Sequence, residues 1–254
     1  MENNIFSEKS PDFITERSDS VVSIRLTGNF FNDITDLTKR EKIFACLERI
    51  NKADEIKAVV IDSSHESCNS EDYKKFFLKE RTKEVSFAFH RLCNVVNQFI
   101  LNIMGLDKIV IHACCGKKIS FFLSLTLACD YGIVAEDTVF YNSYLDMGML
   151  PKGGLPFLLQ RFVGPRKTYE ILLLSRKITA QQALSYGIVE QVVPADALEE
   201  SALAAALRFG QINTQSLTGI KRLVTYSTMG CFEKYLEFEN QEIKKVFNPL
   251  KHST

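Results

Sequence analysis

The stretch from Lys108 to Gly154 constrains the fold more than any other part of the chain. An apolar run of seven residues ends at a turn at Gly116, and a second apolar run begins near Ser120 and ends before Asp130. These lengths predict a buried strand followed by a short buried helix. A second strand and a glycine-bearing loop complete the stretch, so an α/β arrangement is expected here.

The start of the predicted helix at Ser120 is a candidate binding site. The first turn of any helix presents backbone N–H groups without intrahelical partners, at the positive end of the helix dipole. This arrangement suits an oxyanion or a polarised carbonyl oxygen. A buried strand and helix with no chemistry is the other interpretation, and composition alone does not separate the two.

The chain before this stretch alternates strand and helix patterns. Residues 13–27 predict a strand or hairpin, residues 35–52 an amphipathic helix and residues 58–62 a buried strand. A polar loop then leads into a helical pattern from about residue 73 to residue 104. The apolar face expected for the amphipathic helix consists of Leu37, Ile43, Phe44, Leu47 and Ile50.

The chain after Gly154 becomes helical. Two helices are predicted between residues 155 and 177, with a break at Gly164-Pro165. Thr179 is expected to cap a short helix that ends at Gly187, and a strand follows over residues 188–193. Only helical patterns remain from residue 195 to residue 247. The sequence therefore predicts an α/β core, residues 1–194, and a helical C-terminal region, residues 195–254.

Composition excludes several classes of protein. The 254 residues contain 31 Lys+Arg and 31 Asp+Glu, without a basic stripe, which argues against a nucleic-acid partner. The N-terminus has no leader pattern and no apolar run reaches the length of a membrane span, so a cytoplasmic protein is expected. Seven cysteines lack metal-ligand spacing and are expected to be reduced core residues: Cys46, Cys68, Cys93, Cys114, Cys115, Cys129 and Cys231.

Several motifs in the second half of the chain resemble a known family. The resemblance is strongest from Lys108 to Pro194 and weaker, but in register, from about Ser20 to Asp72. The motifs are Ala128-Cys129-Asp130, Ala135-Glu136-Asp137, Gly148-x-Leu150-Pro151-x-Gly153-Gly154, Leu158-x-x-Arg161-x-Val163-Gly164 and Ile178-Thr179-Ala180-x-x-Ala183-Leu184-x-x-Gly187-Ile188-Val189. Together they are similar to the crotonase (enoyl-CoA hydratase/isomerase) superfamily.

This resemblance implies a spiral of repeated strand–strand–helix units with an all-helical C-terminal module for oligomerisation, giving homotrimers or hexamers that are dimers of trimers. It implies an acyl-CoA or acyl-carrier thioester as partner, with coenzyme A as part of the substrate. No separately bound cofactor and no metal are expected. The family stabilises a thioester enolate with two backbone N–H groups.

The resemblance also assigns the residues around this oxyanion hole. The two donors would be the backbone N–H groups of Glu71 and Phe121. Cys68, Asp72 and Phe122 would contact the substrate. Ser120-Phe121-Phe122 stands where the family has a run of glycines, and the two bulky side chains are expected to obstruct or reshape the thioester pocket.

The positions that hold catalytic glutamates in hydratases of this family are occupied here by Ser124 and Tyr144. Neither replaces a carboxylate as acid or base at neutral pH, because a hydroxyl exchanges protons poorly and the tyrosine pKa is near 10. Tyr144, Lys152 and Asp146 are the remaining candidates for catalysis. Decarboxylation suits a phenol and an ammonium beside an oxyanion hole, with Lys152 holding the leaving carboxylate.

Three functions therefore stay open. The first is a decarboxylase or isomerase that acts on an acyl thioester. The second is a non-catalytic acyl-CoA-binding or structural member, because the segment Gly28–Asp33 and the C-terminus also depart from the family pattern at the coenzyme A pocket. The third is ordinary enoyl-CoA hydration.

Overall fold

The computed structural model describes residues 6–27, 30–63 and 87–247. Its main sheet has seven strands in the order β1-β2-β3-β4-β5-β7-β10. The first two junctions are antiparallel, and the strands from β3 to β10 are parallel. The strands are β1 Glu8–Lys9, β2 Phe13–Ser18, β3 Val21–Leu26, β4 Ala58–Asp62, β5 Ile109–Cys114, β7 Tyr131–Ala135 and β10 Gln191–Val193.

A second, three-stranded sheet lies beside the start of the helix that follows Gly116. It consists of β6 Lys117–Ile119, β8 Val139–Tyr141 and β9 Lys177–Thr179 in the order β6-β8-β9. β6 is parallel to β8, whereas β8 and β9 are antiparallel. Because β6 runs directly into a helix at Ser120, this small sheet fixes where that helix begins.

Helices connect the strands and form the C-terminal region. In chain order the described α-helices are α1 Phe30–Thr35, α2 Leu37–Lys52, α3 Phe87–Met104, α4 Ser120–Ala128, α5 Ser143–Asp146, α6 Leu155–Tyr169, α7 Ala180–Ser185, α8 Leu198–Gly210 and α9 Thr214–Phe247. A π-helical segment, Glu170–Leu174, continues α6, and a 3₁₀ turn, Ala195–Ala197, precedes α8.

The two faces of the main sheet carry alternate residues of the same strands. Val59, Ile61 and Val110 belong to the larger core cluster, together with α2, α3 and α4. Val60 and Ile111 belong to a smaller cluster under α8. This alternation follows from the two-residue period of a strand, and burial on both faces explains the nearly continuous apolar runs of β4 and β5.

Most of the predicted elements are confirmed. The hairpin appears as β2 and β3, and the α/β fold class with helical C-terminal elements is confirmed. The π-helical end at Leu174 and the kink at Gly164, whose φ is 74°, agree with a broken helical segment. Thr179 caps α7 in a reciprocal capping box with Gln182, as the local sequence predicts.

Two predictions about burial are wrong. Leu37 is 51% exposed because α2 begins there, after the cap residue Asp36, and its side chain projects beyond the core-facing stripe. Cys231 is exposed on α9 and Cys115 is half-buried, so neither is the fully buried core residue that was predicted. Each of the six described cysteines is a free thiol. Cys68 and the predicted helical segment over residues 73–86 lie outside the described residues. The sequence did not predict α1, β1, β6, α5 or β9, and β9 begins at residue 177, where a helix was expected to end.

No helix in the described part of the chain is both long and apolar enough to cross a membrane.

Candidate functional site

The first turn of α4 is the centre of the candidate site. β6 delivers the chain to Ile119, which takes the N-cap position in an extended conformation and has no side-chain acceptor to offer the turn. Ser120 to Ala128 are all buried, so this helix start faces a low-dielectric interior. In such an interior the field of the helix dipole and of the N-terminal N–H groups is weakly screened by solvent. Phe121, the predicted oxyanion donor, is the second residue of the helix.

Four phenylalanine rings pack around this helix start. Phe30 of α1 stacks on Phe121 with a centroid separation of 5.1 Å and an interplanar angle of 24°. It also meets the ring of Phe99 edge-on at 5.2 Å and the ring of Phe122 at 5.9 Å. Phe121 and Phe122 themselves are 5.3 Å apart in an edge-to-face arrangement. Side chains of this cluster therefore fill the interior beside the predicted donor.

Ser124 is held by the loop between α5 and α6. Its hydroxyl donates to the backbone carbonyl of Lys152 over 3.0 Å. Gly153 packs on the same turn of α4, since a Cβ there would lie 3.3 Å from the Ser124 Cβ and 3.5 Å from the Phe121 ring. The loop thus lies in direct contact with the first turn of α4, at one of the positions assigned above to a family glutamate.

Lys152 takes part in a buried polar network. Its ammonium donates to the Glu239 carboxylate over 2.6 Å, to the Asn97 amide oxygen over 2.6 Å and to the Asn240 amide oxygen over 2.8 Å. The side chains of Lys152 and Glu239 are only 12% and 4% exposed. Three acceptors saturate the donors of an ammonium, so Lys152 joins its loop to α3 and α9 in this conformation.

Tyr144 and Asp146 lie on α5, a single turn of helix rather than a strand. The Tyr144 hydroxyl is buried and donates to the backbone carbonyl of Leu172 over 2.8 Å. Burial raises the pKa of this phenol further above its ordinary value of 10, so it holds its proton at neutral pH. Asp146 pairs instead with Arg176 over 3.0 Å, and both side chains are largely exposed to solvent.

The structure therefore brings Ser124 and Lys152 together, through the Lys152 carbonyl, and gives Tyr144 and Asp146 other partners. Glu71, Asp72 and Cys68 lie outside the described residues. Among the described residues, no group of three His, Cys, Asp or Glu side chains is arranged to hold a metal ion. The catalytic and oxyanion roles assigned from the sequence stay predictions.

A chain of hydrogen bonds that the sequence did not predict lies beneath the aromatic cluster. The Thr126 hydroxyl donates to the Phe122 carbonyl, so its oxygen accepts from Nδ1–H of His112 over 2.8 Å. The Nε2 atom of His112 then accepts from the Ser63 hydroxyl, also over 2.8 Å. A histidine inside the apolar strand β5 was the available sequence signal.

Burial determines the electrostatics of this chain. Desolvation lowers the pKa of His112 to about 3, and the nearby Lys118 ammonium acts in the same direction. The imidazole is therefore neutral at physiological pH. Its ring also lies nearly parallel to Phe122, 6.4 Å away. His112 on β5 therefore links Ser63, the residue after β4, to Thr126 on α4.

Comparison with known proteins identifies the family. Residues 16–253 match the family model described as enoyl-CoA hydratase/isomerase. Among curated relatives, the trans-2-decenoyl-[acyl-carrier-protein] isomerase of Streptococcus mutans is 26% identical over 163 residues, which are 63% of this chain and 62% of the relative. A probable enoyl-CoA hydratase of Mycobacterium tuberculosis is 25% identical over 178 residues, 70% of this chain and 66% of the relative. The matched part therefore spans less than two thirds of either relative.

Solved structures share the fold over a longer range. The enoyl-CoA hydratase of Bacillus halodurans superposes with a TM-score of 0.78 at 18% identity, covering 93% of this chain and 95% of that one. An enoyl-CoA hydratase/isomerase of Xanthobacter autotrophicus Py2 gives a TM-score of 0.76 at 24% identity, covering 92% and 87%. At these identities the likeness concerns the fold alone. Because the family model matches nearly the whole chain, this protein belongs to the enoyl-CoA hydratase/isomerase family.

Proposed function

We propose that this chain binds an acyl thioester, of coenzyme A or of an acyl carrier, at the first turn of α4 and does not hydrate it. The observation that carries the proposal is the bond from the Ser124 hydroxyl to the Lys152 carbonyl, at the position that the family resemblance assigns to a catalytic glutamate of hydratases. Support for thioester binding comes from the N–H groups at the start of α4 and from the family to which the chain belongs, and the packed rings of Phe30, Phe121 and Phe122 have to move for a ligand to reach those groups. The isomerase from Streptococcus mutans, whose name specifies an acyl-carrier-protein substrate, supports including carrier-bound thioesters.

Hydration requires a group that delivers a proton and a group that activates water. Ser124 supplies neither, and the Tyr144 hydroxyl is directed to the Leu172 carbonyl with its pKa raised. Backbone N–H groups still polarise a thioester carbonyl whatever side chains they carry, and one such donor contributes about 3 to 4 kcal/mol in a protease. Binding and carbonyl polarisation therefore persist without the acid–base step.

Decarboxylation or double-bond isomerisation remains the second candidate, with Tyr144, Lys152 and Asp146 as its catalytic groups. The Lys152 ammonium supports it, because it lies on a loop that contacts α4 and has the charge to hold a substrate carboxylate. To do so, Lys152 has to exchange Glu239 for the substrate. This exchange makes the candidate less favourable than binding alone.

One panel of ligands tests both candidates. Calorimetry with butyryl-, octanoyl-, malonyl- and crotonyl-CoA, and with the same acyl groups on an acyl carrier, is expected to show binding with dissociation constants of about micromolar. Chromatography of the same mixtures is expected to show no new product. Hydration of crotonyl-CoA would overturn the proposal, as would the absence of binding to every thioester. Decarboxylation or isomerisation that Lys152→Ala abolishes would establish the second candidate.

A homotrimer or hexamer is proposed as the assembly, with the region from residue 195 onward contributing the contacts. Support comes from α9, where Ile220, Leu223, Val224 and Tyr226 are all more than half exposed. Apolar side chains clustered on one stretch of a long helix are typical of an interface. Light scattering of the purified chain measures the mass directly, and a monomer at micromolar concentration would contradict this proposal.

A further inference from the structure

The loop Leu150–Gly154 is shaped by α9 as much as by its own sequence. The Glu239 carboxylate accepts from the backbone N–H of Gly154 over 2.8 Å and from that of Gly153 over 3.3 Å, in addition to the Lys152 ammonium. Three donors from consecutive residues thus converge on one buried carboxylate. A buried carboxylate is well tolerated only when its lone pairs are satisfied in this way.

The backbone conformation of this loop requires its two glycines and fits closely against α9. Gly153 and Gly154 have φ values of +81° and +75°, which L side chains rarely adopt. A Cβ on Gly154 would lie 2.2 Å from the ring of Phe232, another residue of α9. α9 therefore contacts the loop both through an aromatic ring and through a carboxylate.

The opposite side of the loop contacts α4. Ser124 donates to the Lys152 carbonyl, and Gly153 packs against the ring of Phe121. The loop is consequently held between α9 and the first turn of α4. Glu239 is therefore connected, through Lys152 and Gly153, to Ser124 and Phe121 of α4.

We propose that Glu239 is a positioning residue for the thioester site, which it controls by holding Lys152, Gly153 and Gly154 against Phe121 and Ser124. This inference rests on the proposed function, because it assigns the shape of that site to a residue on α9. Glu239 itself is buried in the described structure and acts through the loop, not on the ligand. Its effect concerns the acyl thioester end of the ligand, because the loop contacts the turn of α4 that is proposed to receive the carbonyl oxygen.

The test compares Glu239→Gln with Glu237→Gln. Glu237 lies two residues earlier on α9 and is exposed, so its substitution makes the same change of charge on the same helix away from the loop. Hydrogen exchange at the Gly153 and Gly154 amides reports whether the loop is held. Calorimetry with the tightest-binding acyl-CoA of the panel and with free coenzyme A reports whether the acyl end of the site is affected.

Glu239→Gln is expected to accelerate exchange at both glycine amides and to weaken acyl-CoA binding by about tenfold, the effect of one well-placed hydrogen bond. Binding of free coenzyme A is expected to stay within about twofold, and Glu237→Gln to match wild type in every measurement. The selective loss matters because a merely structural role would weaken both ligands equally.

Equal weakening of both ligands, or acyl-CoA binding that is unchanged in Glu239→Gln, would overturn the inference while leaving the proposed function intact. A wild-type protein that binds no thioester would overturn the proposed function, and the positioning role with it. If circular dichroism shows that Glu239→Gln does not fold, Ser124→Ala tests the other side of the loop. Ser124→Ala is expected to reduce the affinity for acyl-CoA about threefold and to leave the affinity for free coenzyme A unchanged. An acyl-CoA affinity equal to that of the wild-type protein would then overturn the inference.

Discussion

The two faces of the main sheet are built from alternate residues of the same strands but pack against different kinds of side chain. On the α8 face, Ala202, Ala205 and Ala206 lie against small and β-branched residues such as Ala113 and Val60. On the α4 face, His112 of the same strand β5 is hydrogen-bonded to Ser63 and Thr126 and lies under a cluster of phenylalanines. Small apolar residues pack the centre of the α8 face, where Arg25 also pairs with Asp62 and with Glu199 of α8, whereas the α4 face buries a hydrogen-bonded histidine.

The two faces differ in the free energy of desolvation that their buried polar groups require. Burying polar groups costs free energy unless each finds a hydrogen-bond partner, and the alanine and valine contacts under α8 avoid that cost. The α4 face carries both the polar chain and the helix start proposed to bind the thioester. The buried hydrogen-bond chain and the proposed binding site therefore occur on the same side of the sheet, whereas α8 contributes apolar packing and an ion pair between Glu199 and Arg25.

The largest effect is expected from Phe122→Ala on the α4 face. Phe122 is fully buried among aromatic rings, so truncation leaves a cavity and is expected to cost about 3 to 5 kcal/mol of unfolding free energy. Urea denaturation measures this loss. Leu37→Ala, at an exposed position, is the control and should change the free energy by less than about 0.5 kcal/mol. A loss under about 1 kcal/mol in Phe122→Ala would show that this face is loosely packed.

The α8 face is expected to fail in the opposite way, by overpacking. Ala206 is fully buried against the sheet, so Ala206→Leu is expected to cost about 1 to 3 kcal/mol because the added carbon atoms have no space. Ala204→Leu, on the exposed side of α8, is the matched control with little expected effect. If both variants are equally stable in urea, α8 does not pack as closely as described and the contrast between the faces is weaker.

The pH dependence of the unfolding free energy tests the α4 face through His112. The pKa of His112 is lowered to about 3 in the folded state, against about 6.5 unfolded, so the unfolded chain binds the extra proton between these values. Stability from this group is present above pH 6.5 and is lost as the pH falls towards 3. Between pH 7 and pH 5 the expected loss is about 2 kcal/mol.

His112→Gln isolates this contribution, because all other titrating groups are shared with wild type. Urea denaturation at pH 7 and pH 5 is expected to show a smaller loss of stability in the variant than in wild type. Equal losses in the two proteins would mean that folding does not lower the pKa of His112, which would contradict its neutral role in the hydrogen-bond chain.

The smallest effect is expected from Ser63→Ala. The substitution removes the hydroxyl that donates to Nε2 of His112 and leaves that nitrogen without this donor, at an expected cost of about 1 kcal/mol. A double-mutant cycle with His112→Gln measures the coupling between the two residues. A coupling energy near zero would show that the contact contributes nothing to the α4 face.

The sequence predicted the fold well where the signal is local. The predicted cap at Thr179 and the predicted helix end at Gly187, whose φ is +69°, involve residues within a few positions of each other, and the structure adds a reciprocal bond between Thr179 and Gln182. The buried strand β4 follows from its unbroken apolar run. Such features depend on backbone geometry and burial that neighbouring residues fix among themselves.

The candidate site was predictable only in its location. The start of α4 at Ser120 follows from the apolar run after Gly116, and the family follows from motifs spread over the second half of the chain. The sequence does not specify that Lys152 meets Glu239, 87 residues away, or that Tyr144 meets the Leu172 carbonyl. The residue type alone does not reveal whether a polar side chain is available for catalysis or is hydrogen-bonded within the fold.

The sequence by itself therefore determined many of the strands and helices, the family and the presence of hydroxyl side chains rather than carboxylates at Ser124 and Tyr144. Only the tertiary structure decided which of the remaining polar groups are engaged, and by which partners. The physical reason is that local elements are set by short-range sterics and periodicity, whereas hydrogen-bond partners such as Lys152 and Glu239 are chosen when distant segments pack.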